Sequence, residues 1–157
     1  MSPAGGSRDP LTRVSQKMKQ IFKRQPGERV RFYGAQRIPV AGNICRVRVR
    51  LDLPSGGSFT GVAEGPAGLD DELRSAAAAT LDGLRQVVKA RKVAVKFELI
   101  EVAAFEAFGK ASVMVSVKAE YQNQSPSLLG FSPLEADGLR SVAVAVLSAT
   151  NRFLGIV

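Results

Sequence analysis

The run Arg46-Val47-Arg48-Val49-Arg50-Leu51-Asp52-Leu53 is the densest set of chemically committed side chains in the sequence. Alternation with period two sets the three arginines on one face of a strand and the valines and leucines on the other. Guanidinium groups keep their charge at any working pH and bond phosphate in a bidentate fork. Such a row, with Arg29, Arg31 and Arg37 close by in sequence, could neutralise several phosphates of a polyanion. The same row also reads as a soluble outer face of a strand, and the residue types do not choose between the two.

Other chemistry is harder to place. Histidine is absent, which removes the commonest general base, the usual zinc ligand and every Ser-His or Cys-His nucleophile pair. Gly56-Gly57, Gly61, Gly65 and Gly68 lack the spacing and the Lys-Ser/Thr of a phosphate-binding loop and read as turns. Asp70, Asp71 and Glu72 resemble a metal cluster, but their place at a helix start is explained by capping and the helix dipole. Cys45 has no partner in the chain and lies in a strand-like run, so it is expected to be a buried, inert thiol. These absences point to a non-enzymatic protein with no cofactor and no metal.

Charge is distributed unevenly. Residues 1–50 hold 12 basic and 2 acidic side chains, a net +10, and the rest hold 10 and 12, a net −2. The excess therefore sits in the first third, as expected when one end of a molecule addresses an anionic partner. Within it, Asp9 and Pro10 open a helical pattern in which Leu11, Val14, Met18, Ile21 and Phe22 share one stripe and Arg13, Lys17, Lys19 and Lys23 oppose it, with Arg24 before the Gln25-Pro26-Gly27 stop. Residues 1–27 thus read as a disordered start and a basic amphipathic helix. This arm fits nucleic acid, an anionic membrane or its own protein body as a docking surface. The missing Trp and the short stripe weigh against a membrane.

Residues 28–157 read as one domain, an α+β fold built as a tandem strand-strand-strand-helix repeat in two layers. Strands are expected over 30–40, with irregularities at Gly34 and Pro39, over 43–53 and over 58–63, followed by a helix over 70–89. Leu73-Arg74-Ser75 then recurs 66 residues later as Leu139-Arg140-Ser141, and Val47, Val49, Leu51 and Leu53 fall on Val113, Val115, Val117 and Ala119. An offset of 65 sets Val30 and Phe32 on Val95 and Phe97. The repeats are placed at 28–92 and 93–157, the second with strands over 93–104, 110–121 and 127–130. Its helix is expected to open on a capping box at Ser132, Pro133 and Glu135. That helix is apolar around nearly its whole circumference, which calls for cover by the arm or by a second subunit. The arginine positions become Ser112, Met114, Ser116 and Lys118 in the second repeat, so the core face is kept and the open face changed.

The duplication, with Gly65-Pro66-Ala67-Gly68-Leu69-Asp70 leading into an Ala-rich helix, resembles the C-terminal regulatory (dimerisation) domain of 2-isopropylmalate synthase over about residues 30–157. Glu64-Gly65-Pro66-Ala67 matches that family's Gly-x-Gly-Pro-x-x-Ala turn in part, and Gly130-Phe131-Ser132-Pro133 only in outline. The resemblance implies a pairing domain with an effector groove between repeats; no effector residue transfers, and the chain carries no catalytic barrel. Double-stranded-RNA-binding domains also set three strands before an Ala-rich helix, but Asp70-Asp71-Glu72 stands where they carry phosphate-binding lysines.

Aromatic side chains suited to stacking on bases are few, and most of Phe32, Tyr33, Phe59, Phe97, Phe105, Phe108 and Tyr121 are expected in the core. The leading expectation is a homodimeric, cytoplasmic protein that binds a polyanion, nucleic acid first, through Arg13, Lys17, Lys19, Lys23, Arg24, Arg29, Arg31, Arg46, Arg48 and Arg50. Cytoplasmic placement follows from the lack of a signal-like apolar start and from apolar runs no longer than 142–147, far below the ~20 residues of a membrane span. The alternative is a small-molecule-sensing or protein-interaction domain with a groove at the repeat or dimer interface.

Overall fold

The computed structural model of the protein describes residues 29–155. The expected basic helix of residues 1–27 lies outside them. Strands β1 (Arg31–Val40), β2 (Ile44–Asp52) and β3 (Ser58–Pro66) precede helix α1 (Leu69–Ala90); β4 (Lys96–Ala107), β5 (Lys110–Glu120) and β6 (Ser127–Pro133) precede helix α2 (Gly138–Leu154). Each trio is an antiparallel sheet with its second strand in the middle. The tandem α+β repeat read from the sequence is therefore the observed architecture. No described helix is long and apolar enough to cross a membrane.

Alternation in the central strands builds the core. Cys45, Val47, Val49 and Leu51 of β2, and Val113, Val115, Val117 and Ala119 of β5, point inward and are buried. α1 lies across β2 and β3, α2 across β5 and β6; the helices pack on one another, and each touches the first strand of the other half. Among the described residues α2 already finds cover on several sides. Leu139, Val142, Ala143, Ala145, Val146, Leu147, Ala149 and Leu154 are all buried within the chain, because α2 contacts β1, β5, β6 and α1 together.

Several details recur at equivalent places in both halves. A Cβ on Gly61 would lie 1.9 Å from the carbonyl oxygen of Ala79, and one on Gly130 would lie 1.9 Å from that of Ala145, so a glycine in the third strand lets each helix backbone approach closely. Gln86 Nε2 donates to the Thr60 carbonyl and Arg152 Nη2 to that of Leu129, covering the open edge of each third strand. Each helix also reaches across the halves. Arg85 Nη2 donates to the Phe97 carbonyl, while Asn151 Nδ2 donates to that of Val30 and its Oδ1 accepts from the Val30 amide.

Those cross-links correct the alignment of the first strands. Val30 corresponds to Phe97, and Phe32, paired with Leu51, to Leu99, paired with Val117. The offset is 67 rather than 65. A slip of two residues leaves a period-two pattern unchanged, so alternation alone could not resolve it. One extra residue follows each pair, Tyr33 in β1 and Ile100 in β4, so the bulge is duplicated too.

Element ends differ from expectation for local reasons. β4 runs to Ala107, β3 to Pro66 and β6 to Pro133, because pairing with the central strands continues through Gly65 and Ser132. Ser132 and Pro133 therefore belong to β6, and the capping box expected there is not formed. α2 opens at Gly138 with Asp137 as its cap, whose carboxylate accepts from the Arg140 amide at 3.4 Å. At α1 the cap residue is Gly68, with no side-chain cap bond; Glu72 reaches back to the Gly68 amide, while Asp70 and Asp71 sit in the first turn.

Candidate polyanion-binding face

The open face of the first sheet is set by register. Arg46 lies between Ile38 and Glu64, Arg48 between Gln36 and Val62, Arg50 between Gly34 and Thr60, and Asp52 between Arg31 and Ser58. Arg31, Arg46, Arg48 and Arg50 thus share one face with two carboxylates, a net +2. Two of the arginines have counter-charges: Arg46 Nε meets Glu64 at 2.6 Å and Arg50 Nε meets Asp52 at 3.2 Å. Both pairs are solvent-exposed and worth about 0.2–1 kcal/mol each, so Arg46 can exchange Glu64 for a phosphate. Arg48, exposed in the middle of the row, makes no hydrogen bond or ion pair with any described residue.

Arg50 is held on several sides. Its Nη2 donates to Ser58 Oγ at 3.0 Å, Ser58 donates in turn to Asp52, and the guanidinium carbon lies 3.9 Å from the centre of the Tyr33 ring. Tyr33 is 63% exposed, at odds with a core role. Alternation from the inward Phe32 sends that side chain outward, and the bulge then sets Gly34 on the same face, opposite Arg50, and reverses the alternation beyond it.

Arg37 does not join this face. It pairs with Val47 on the helix side, and its Nε donates to Glu72 of α1 at 2.6 Å. The Gly68 amide, and after it the Arg37 guanidinium, hold the Glu72 carboxyl below the ordinary glutamate range. Arg29 is exposed just before β1. Arg13, Lys17, Lys19, Lys23 and Arg24 lie outside the described residues.

The second sheet's open face differs in kind. Lys96 opposes Glu120 and Glu98 opposes Lys118, so charges balance across strands. Its middle is apolar: Ile100, Phe105, Leu129 and Phe131 are between 38% and 54% exposed. Phe105 meets Phe131 edge to face at 6.5 Å. Beside them, Phe108 stands fully exposed at the tip of the β4–β5 hairpin with a φ of 54°. Phe105, Phe108, Phe131 and Pro133 line a concavity of about 570 Å³. Of the seven aromatics considered for the core, Phe32, Phe59, Phe97 and Tyr121 pack there, whereas Tyr33, Phe105 and Phe108 do not. The Phe108-Gly109 pair between two alternating runs was the readable sign of a hairpin tip.

The two helices meet closely where the repeats join. Leu73 of α1 lies against Gly138 at the start of α2, where a Cβ would come within 2.9 Å of it. Beside them opens a cleft of about 330 Å³ lined by Asp70, Asp71, Leu73, Arg74, Val102 and Ala104. Compared with known proteins, the chain matches no family model and no curated protein.

Proposed function

We propose that this is a non-enzymatic nucleic-acid-binding protein that holds phosphates on the open face of its first sheet. Arg48 carries the reading: an exposed guanidinium, uncompensated among the described residues and flanked on the same strand by two arginines whose own ion pairs are weak. The +10 of residues 1–50 supports it by drawing polyanions to that end of the chain. Fluorescence anisotropy with labelled DNA and RNA at two salt concentrations tests it. The intact chain binds at low salt and releases as salt rises, and Arg48→Glu weakens binding to all sequences alike while lowering the salt slope by about one. Absence of binding at low salt refutes the reading.

A second reading is protein interaction through the apolar face of the second sheet, including pairing with a second copy. The exposed Phe105, Phe108, Leu129 and Phe131 favour it, since soluble monomers seldom leave such side chains contiguous in water. Sedimentation of the intact chain tests the homodimer, and a clean monomer at tens of micromolar speaks against it.

A further inference from the structure

We propose that the nucleic acid taken by this face is single-stranded, with an unpaired base stacked on Tyr33 while the arginine row holds the backbone. The inference rests on the polyanion reading above and sharpens it to a substrate class. A ring has two faces, and Arg50 occupies one of Tyr33's at 3.9 Å. The ring is nevertheless 63% exposed, so its other face is open to solvent, and its hydroxyl bonds no described residue. Stacking on an aromatic side chain backed by a guanidinium is the usual way a protein surface takes a base without reading its edge.

The platform is fixed before any ligand arrives. Asp52 and Ser58 hold the guanidinium from behind, and the core-packed Phe32 sends Tyr33, the next residue, to the open face. Arg48, two residues along β2 or about 6.6 Å, supplies a cation unpaired among the described residues beside the stacked base. A duplex keeps its bases stacked inside and would offer this flat sheet only phosphates, so Tyr33 would contribute nothing to binding it.

The duplication supplies an internal control. The bulge recurs at Ile100, so the bulge itself belongs to the frame. There the protruding side chain is aliphatic and the adjacent central-strand position, equivalent to Arg50, is Ser116. Only the basic half pairs the protruding residue with an arginine.

The test uses the intact chain at low salt with three labelled probes: a 20-nucleotide oligo-dT, the matching oligo-U and a 20-base-pair DNA duplex. Single strands bind more tightly than the duplex, and the two single-strand probes separate a DNA from an RNA preference. Tyr33→Ala weakens single-strand binding about 5- to 150-fold, the loss of one base–aromatic stack, and leaves duplex binding unchanged. Tyr33→Phe restores it. Equal affinity for duplex and single strands, or Tyr33→Ala leaving single-strand binding intact or weakening both substrates alike, overturns the proposal. If Arg48→Glu lowers binding to both forms while Tyr33→Ala changes neither, the polyanion reading stands and the stacking proposal alone fails. Absence of binding to every probe defeats both. Thermal unfolding of Tyr33→Ala close to wild type confirms that the exposed ring was not holding the fold.

Discussion

Adding one methyl group at Gly61 should damage this fold more than most substitutions of that size. The new Cβ would lie 1.9 Å from the Ala79 carbonyl oxygen and 2.4 Å from the Gly83 amide nitrogen. Ordinary contact begins near 3.4 Å, so α1 must lift by 3.4 − 1.9, or 1.5 Å, and both obstructing atoms are backbone. Leu81, Leu84, Val87 and Val88 ride on that helix and would lose contact together. Overpacking costs about 1–3 kcal/mol where side chains can yield; with backbone in the way we expect about 3–4 kcal/mol. At about 2–4 °C per kcal/mol for a chain of this size, the melting temperature falls by about 10 °C. Gly130→Ala, whose Cβ would sit 1.9 Å from the Ala145 carbonyl, should fall equally. Thermal unfolding followed by circular dichroism measures both. Gly83→Ala is the control, since its Cβ meets the end of the Leu51 side chain at 3.0 Å. The second repeat has Ala149 at that position with the shorter Val117 in place of Leu51. Helix propensity favours the alanine by about 1 kcal/mol, so Gly83→Ala stays near wild type, and Leu51→Val beside it relieves the remaining crowding. A drop under 2 °C for Gly61→Ala and Gly130→Ala, or an equal loss for Gly83→Ala, would refute the reasoning.

Two further predictions follow from side chains at the edges of the frame. Because the Glu72 carboxyl is depressed, its stabilising contribution is complete above the unfolded glutamate range and fades as pH falls through the lower folded value. Glu72→Gln should therefore flatten acid unfolding in that window and cost no more than about 1 kcal/mol at neutral pH, since Arg37 is partly open to solvent; an unchanged acid-unfolding profile speaks against it. Phe108 occupies a positive-φ position where asparagine is the better fit before Gly109, so Phe108→Asn should stabilise the isolated chain by about 0.5–1 kcal/mol. A lower melting temperature would mean that the exposed ring is held by contacts of its own.

How much of this was legible in the sequence depends on what fixes each feature. The core faces of β2 and β5 are uninterrupted alternations of apolar residues, and packing leaves them no other arrangement, so the repeat and its helices could be read directly. The offset of the first strands could not, because slipping Phe32 from Leu99 to Phe97 preserves every inward and outward side chain. The α2 start was misplaced because Ser132-Pro133 has the chemistry of a helix opening, yet pairing with Ser112 and Val113 keeps those residues in β6. The apolar circumference of α2 is legible, but its cover comes in part from elements distant in sequence, α1 and β1, beside its own sheet. At the candidate site the arginine row and the outward Tyr33 both follow from alternation, whereas the removal of Arg37 to the helix side depends on the single bulge at Tyr33, which reverses the alternation beyond it.

The two outer faces bear on whether the arginines serve only to keep a strand soluble. A face selected for solubility alone has a cheap solution, and the second sheet shows it at one end: Lys96 opposite Glu120 and Glu98 opposite Lys118, with no net charge. The first sheet is built on the same frame, with the same central-strand spacing and the same bulge, and it departs from that solution. Glu64 and Asp52 offset Arg46 and Arg50, but nothing described offsets Arg48, and Arg31 adds to the excess. Like charges held two residues apart on one strand repel one another, so the arrangement costs stability in the free protein. A multivalent anion laid along the row would reverse the sign of that term.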